Sequence, residues 1–156
     1  DNAFEIVHAF RMADLKLLVN QHVSVKCNGH DIAIAGIDFS EDDDDLHRLV
    51  NLTCRGIARD ELRILLAHHP HAFEAAQRCG VDLVLAGHTH GGQVVFRDSR
   101  PHVQTSFGLG NIKWRYAQGH YQHAGTHLHV TNGLGGSFPL RFRCPAEIAV
   151  LELQPV

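Results

Sequence analysis

The chain of 156 residues has the length of one domain. Its hydrophobic share of 44% and charged share of 20% are ordinary for a globular protein, and its apolar runs are too short to span a membrane. Four scattered cysteines without a CxxC pair argue against a zinc knuckle and a disulfide framework. Residues 91–145 carry six basic side chains and one acidic one, which would suit an anionic substrate.

The first part of the chain predicts a helix followed by a hairpin. Residues 4–18 place apolar side chains at mostly helical spacing, which indicates an amphipathic helix. Residues 22–27 alternate in polarity, and residues 31–37 form a second apolar strand. Between them, Asn28-Gly29 tolerates positive φ at both positions, which is typical of a two-residue hairpin turn.

The middle of the chain predicts a strand–helix–strand unit. The acidic run 41–45 suits a solvated loop and the start of a helix over 46–52, because carboxylates favour the helix dipole there. Apolar strands are predicted at 63–67 and 81–86, with a helix over 70–79 between them. This spacing indicates a right-handed crossover between parallel strands, whose carboxyl ends share one edge of the sheet.

The last part of the chain predicts strands without intervening helices. Short strands are expected at 94–96 and 127–131, and a final alternating strand at 147–153. Residues 98–125 read as a loop and residues 132–137 as a tight glycine turn. Together with the parallel unit, these elements predict an α/β fold with mixed sheets.

Imidazole side chains follow both of the predicted parallel strands. His68 comes directly after the first strand, and His88 and His90 follow the second in a glycine-rich loop. Neutral imidazole is a good ligand for zinc, manganese and iron, and Gly91-Gly92 leaves room for close backbone approach. We therefore predict that His68, His88 and His90 bind metal, with buried, hydrogen-bonded histidines as the alternative.

The other histidines carry weaker expectations. His69 and His71 are expected to be supporting or exposed to solvent. His127 and His129 share one face of a strand, which favours a half-exposed strand over a pocket wall.

Carboxylates are missing from both histidine motifs, although a two-metal hydrolytic site normally needs a bridging carboxylate. Asp82 begins its strand and so lies at the opposite edge of the sheet. Asp38 ends a strand and is a weaker candidate to point into the site.

Five segments of the chain match the motifs of one known family. The most specific is LVLAGHTHGGQV. The others are AIAGID, ILLAHHPHAF, RYAQGHY and VTNGLGGSFPLRFRCPAEIAVLEL. In these segments the chain resembles the calcineurin-like metallophosphoesterases, in the bacterial branch of YkuE- and YaeI-type phosphodiesterases. The resemblance extends over the chain from about Asn20 onward.

The resemblance implies a four-layer α/β/β/α sandwich around two divalent metal ions, such as manganese, iron or zinc. His68 and His88 would bind one ion and His90 the other. The implied activity is phosphoester hydrolysis, most directly of a phosphodiester, by a metal-bridging hydroxide. A nucleotide-lipid substrate and a membrane-associated or exported protein are further implications, and the compartment stays open.

The family's first blocks, DxH, GDxxD and GNHD, are not found ahead of the segments that resemble the family, and with them the bridging Asp and the catalytic His are missing. Because the chain opens on Asp1, we expect residues 1–156 to be a single phosphoesterase domain truncated at its N-terminus, which supplies the histidine half of the site. The alternative is a non-catalytic metal-binding or interaction domain derived from that fold. A metallo-β-lactamase type hydrolase is disfavoured, because Gly91-Gly92 interrupts its HxHxDH pattern.

Overall fold

A computed structural model describes residues 3–97, 104–106 and 115–154. The helices of this part are α1 (Ala3–Met12), α2 (Asp43–Cys54) and α3 (Ala72–Arg78). The strands are β1 (Gln21–Cys27), β2 (His30–Gly36), β3 (Leu62–Leu66), β4 (Leu83–Ala86), β5 (Val95–Arg97), β6 (Gln104–Ser106), β7 (Gly119–His123) and β8 (Thr126–Val130). No helix within these ranges combines the length and apolarity needed to cross a membrane.

The main sheet has six strands in the order β1-β2-β3-β4-β8-β7, and β5 and β6 form a separate antiparallel pair. The four central strands β2, β3, β4 and β8 run parallel, while the outer strands β1 and β7 are antiparallel to their neighbours. The predicted α/β class with mixed strand directions is thus confirmed. The four-layer arrangement stays a prediction.

The predicted hairpin forms between β1 and β2. Asn28 and Gly29 turn the chain with φ values of 49° and 83°, as a two-residue turn with two left-handed positions requires. The register joins Cys27 to His30 and Gln21 to Gly36, so all seven residues of each strand are paired.

Helix α2 begins where the acidic run predicts. The side chain of Asp42 caps it by accepting a hydrogen bond from the Asp45 amide at 2.7 Å. Helix α1 is shorter than the predicted 4–18, since Asp14 adopts a left-handed φ of 53° that ends the helix. Its apolar residues Phe4 and Ile6 are 77% and 47% exposed.

The strand–helix–strand unit is confirmed as β3–α3–β4. The two strands pair in parallel, with Ile64 beside Leu83 and Leu66 beside Leu85. Helix α3 is shorter than the predicted 70–79, because its first residues form a turn and Gly80, at φ 68°, ends it.

The core lies between one face of the sheet and helices α2 and α3. Its fully buried side chains include Leu65, Val84 and Leu128 from the sheet and Val50 and Phe73 from the helices. The opposite face of the sheet is also apolar but less covered. That open face carries Ile32, Ile34, Ile64, Leu66 and Leu85, and Leu66 is 40% exposed.

The later strands agree with the sequence only in part. The strands predicted at 94–96 and 127–131 are confirmed as β5 and β8, each displaced by one residue. The prediction of a loop over 98–125 is wrong at β6 and β7, which are strands. Residues 98–103 and 107–114 of that prediction lie outside the described part. The β7–β8 turn uses Ala124 at φ 49° before Gly125, and alanine gives no turn signal.

The strand predicted at 147–153 is also wrong. Those residues are irregular in the structure, and Ile148 and Val150 are 77% and 91% exposed. An alternating segment becomes a strand only where a partner strand accepts its hydrogen bonds, and none of the described strands pairs with it.

The core predicts a stability contrast between two leucines. Leu128→Ala should lower the free energy of unfolding by about 2–5 kcal/mol, because it leaves a cavity under a side chain that is 0% exposed. Leu134→Ala should change it by less than about 0.5 kcal/mol, because Leu134 is 69% exposed. Urea denaturation measures both, and equal losses would contradict this assignment of the core.

Candidate metal centre

The parallel pairing of β3 and β4 brings the histidine motifs together. It continues past both strands, since the Ala67 amide donates to Leu85 at 3.1 Å and the Gly87 amide donates to the His68 carbonyl at 3.1 Å. His68 therefore lies beside Gly87, one residue before His88. Asp82 is at the opposite edge, as predicted, where its carboxylate accepts from the Arg63 amide at 2.7 Å.

Three imidazoles meet at this edge. One ring nitrogen from each of His68, His69 and His88 lies within 4.8 Å of the other two. The His88 Nδ1 and His68 Nε2 atoms are 3.4 Å apart, and the His69 and His88 rings stack with centroids 3.5 Å apart. Nitrogen ligands bind zinc at about 2.0–2.1 Å, so two atoms about 3.4 Å apart fit one coordination shell. The donor set thus fits a divalent ion.

The protonation state of the cluster favours metal binding. Burial, followed by the neighbouring His88 and His68, lowers the pKa of His69 to about 4. Burial and then His68 lower the pKa of His88 as well. Both rings are accordingly neutral at pH 7, and the neutral imidazole is the form that ligates metal.

The segment that follows β2 forms one wall of the cluster. The Phe39 ring lies 4.2 Å from the His69 ring, between centroids, and Asp38 lines a small cavity together with His68, His69 and His71. The His71 Nε2 atom donates to the Ser40 carbonyl at 2.9 Å, which fixes that ring against the wall. Asp38 is exposed, and its carboxylate accepts from the Phe39 amide at 2.8 Å.

The structure groups the histidines differently from the sequence prediction. His69, expected to be supporting or exposed, places a nitrogen in the cluster, whereas His90 is not among the clustered residues of the described part. The adjacency of His69 to His68 could have indicated that His69 joins the cluster. Side chains of neighbouring residues in an extended chain point to opposite sides, however, which argued against it. The assignment of His90 as a ligand stays a prediction.

His90 stands in a strained loop. His88, His90 and Gln93 have φ values of 68°, 49° and 55°, and each left-handed residue other than glycine costs about 1–2 kcal/mol. Gly91 follows with φ 63°, and a Cβ there would collide with the side chains of Asn132 and Cys144. The loop thus depends on glycine and on contacts from the rest of the chain.

The histidines of β7 and β8 form a separate group. The His120 Nε2 and His127 Nδ1 atoms lie 2.9 Å apart, and His129 pairs with Leu85 on the open face of the sheet. His127 and His129 are both half-buried, as the strand pattern indicates, and neither joins the cluster of His68, His69 and His88.

Comparison with known proteins finds metallophosphoesterases. The chain is 39% identical over 92 residues to the metallophosphoesterase YkuE of Bacillus subtilis, and the matched region covers 58% of this chain and 30% of that protein. It is 37% identical over 91 residues to the phosphodiesterase YaeI of Escherichia coli, covering 58% and 32%. A metallophosphoesterase of Campylobacter jejuni is 33% identical over 149 residues, covering 90% and 35%.

The chain spans about a third of the length of these three relatives. No protein-family profile matches the chain, and no solved structure matches it significantly.

The crowding at Gly91 predicts a contrast with Gly133, which has the same φ of 63° but nothing within 4 Å of its Cβ position. Both alanine variants carry the left-handed backbone cost. Gly91→Ala should lose about 1–3 kcal/mol more of unfolding free energy than Gly133→Ala, because only its methyl group collides. Chemical denaturation of the two variants measures the difference, and equal stability would show that the loop can move aside.

Proposed function

Since this chain belongs to the metallophosphoesterases of the YkuE and YaeI branch, we propose that it forms part of a metal-dependent phosphoesterase, most directly a phosphodiesterase. The observation that carries the proposal is the cluster of three imidazoles at the carboxyl edge of β3 and β4. In open α/β sheets, ligands bind at the carboxyl edge of the strands. The relatives are named metallophosphoesterases, a name that implies a bound metal.

The chain's own residues would hold the metal. His68, His69 and His88 offer nitrogen ligands, and His71 stays hydrogen-bonded to the wall at Ser40. A divalent ion held there would supply Lewis-acid chemistry, namely polarisation of a phosphoryl oxygen and a lowered pKa of bound water. The glycine at position 91 lets the loop of His88 and His90 pack closely against Asn132 and Cys144, where any larger residue would collide.

The finer form of the proposal has two metal ions. His90, on the same loop, would then ligate the second ion, and Asp38 is the carboxylate that lines the same small cavity as His68 and His69. Further carboxylates, the bridging Asp and the catalytic His would come from sequence beyond this chain, which spans only a third of its relatives.

The same reasoning applies to the domain. We propose that residues 1–156 are one part of a larger phosphoesterase domain, and that a second sheet from the remainder covers the open face near Leu66 and Leu85. That packing would complete the four-layer sandwich. Two apolar sheets pack face to face at about 10 Å, and an exposed apolar sheet face is costly in water.

The proposed substrate is a phosphoester. A nucleotide-lipid diester and a membrane-associated enzyme extend the proposal by family resemblance. The six basic side chains in residues 91–145 suit the anionic substrate.

A non-catalytic metal-binding domain is the second candidate. One observation favours it: the cluster of His68, His69 and His88 includes no carboxylate among the described residues. Such a domain would bind the metal and leave phosphodiesters intact.

Metal binding tests the centre directly. His68→Ala and His88→Ala should each weaken zinc binding by more than about 100-fold, because each removes a ligand, whereas loss of residues that only orient ligands costs about 10–100-fold. His123→Ala, an exposed histidine at the end of β7, is the matched control and should bind as the parent does. Calorimetric titration measures the affinity, and unchanged binding in both cluster variants would contradict the metal centre.

Hydrolysis separates the two candidate functions. The full-length product of the gene should hydrolyse bis-p-nitrophenyl phosphate with manganese, and His88→Ala should lower kcat/KM by at least about 100-fold through loss of metal. Absorbance of the released nitrophenolate gives the rate. Metal binding without hydrolysis would favour the non-catalytic domain.

A further inference from the structure

We propose that Arg141 is a positioning residue of the metal centre, which ties the loop of His90 to the closing segment, residues 132–144. The inference rests on the proposed function for its metal. It assigns a role to a side chain 51 positions away in sequence from the histidine that it would position.

One guanidinium bonds several carbonyls across this junction. The Arg141 Nη1 atom donates to the carbonyl of His90 at 3.3 Å and to that of Cys144 at 3.2 Å. Its Nη2 atom donates to carbonyls of the glycine turn, those of Asn132, Gly133 and Gly135. Only arginine presents five N–H donors in a rigid fork, so lysine cannot reproduce this set.

Gln93 adds a second connection between the loop and the closing segment. Its side chain is 4% exposed and accepts from the Ser137 amide at 2.7 Å through Oε1. Its Nε2 atom donates to the carbonyls of Phe138 at 2.8 Å and Leu140 at 3.2 Å. The Phe142 amide donates to the Gln93 carbonyl at 2.7 Å, so the segment also pairs with the loop backbone.

The contact with His90 is what makes Arg141 specific to the metal centre. Gln93 holds the end of the loop, while Arg141 and the Cys144 thiol, whose Sγ donates at 3.2 Å, both bond the His90 carbonyl itself. Fixing that carbonyl fixes the left-handed backbone of His90 and therefore the direction of its Cα–Cβ bond. Without the guanidinium, the imidazole would leave the position from which it ligates.

Arg143 is a matched control in the same segment. Its guanidinium lies over the Phe142 ring, 5.4 Å from the centroid, and the side chain is exposed. Arg141→Lys and Arg143→Lys make the same chemical change two residues apart, and only the first removes donors to the His90 carbonyl.

Hydrogen exchange tests the positioning without metal. In Arg141→Lys, the amides of Gly92 and Gln93, which donate to Thr89 and His90, should exchange at least about 10-fold faster. The amides of β3 and β4 should exchange at the parent rate. In Arg143→Lys, every amide should exchange at the parent rate. Unchanged exchange at Gly92 and Gln93, or equal acceleration at every amide, would overturn the proposal.

A double-mutant cycle then tests the link to metal. In the full-length product of the gene, where the second ion has all its ligands, Arg141→Lys should weaken binding of the second zinc ion by about 10-fold, the size expected when a ligand loses an orienting partner. It should cause no further loss in a His90→Ala background, because Arg141 acts through His90. The inference would be overturned if Arg141→Lys lowered the zinc affinity equally with and without His90. It would also be overturned if Arg141→Lys lowered the affinity while His90→Ala alone left it unchanged. A parent chain that binds no zinc would refute the metal centre, and the exchange result alone would then decide the role of Arg141.

Discussion

The parallel pairing of β3 with β4 is the constraint on which the candidate site depends. Parallel strands must end at the same edge, and here the hydrogen-bond ladder runs one step further, from the Gly87 amide to the His68 carbonyl. This fixed register places the side chains of His68 and His88 beside each other. Burial of Leu65 and Val84 under the helices holds the pairing, so the stability of the core and the geometry of the site share one origin.

The loop after β4 lowers the stability of the folded chain through its backbone conformation. It holds His88, His90 and Gln93 in the left-handed region, where side chains crowd the backbone. Contacts from residues 132–144 offset this cost, through Arg141, Cys144 and the buried Gln93 amide. Backbone strain held by surrounding structure is frequent at functional sites, which is compatible with the ligand roles proposed for His88 and His90.

The elements with strong local signals could be predicted from the sequence. Asn28-Gly29 can adopt the turn that joins β1 to β2, and the acidic run caps α2 through Asp42. The apolar strands β3 and β4 follow from their composition, and so does the meeting of His68 with His88. The prediction was wrong at 147–153, because alternation does not reveal whether a partner strand exists.

The sequence by itself determined that imidazoles gather at one edge of an α/β sheet, because hydrophobic patterning and strand direction are local properties. Only the tertiary structure decided which rings share the cluster. His69 turns into it because Phe39 and His88 pack on its ring, and those two residues belong to segments that follow β2 and β4. The role of Arg141 is equally non-local, since its acceptors are backbone carbonyls that carry no sequence signal. Ring orientation and carbonyl direction depend on long-range packing, which residue spacing does not encode.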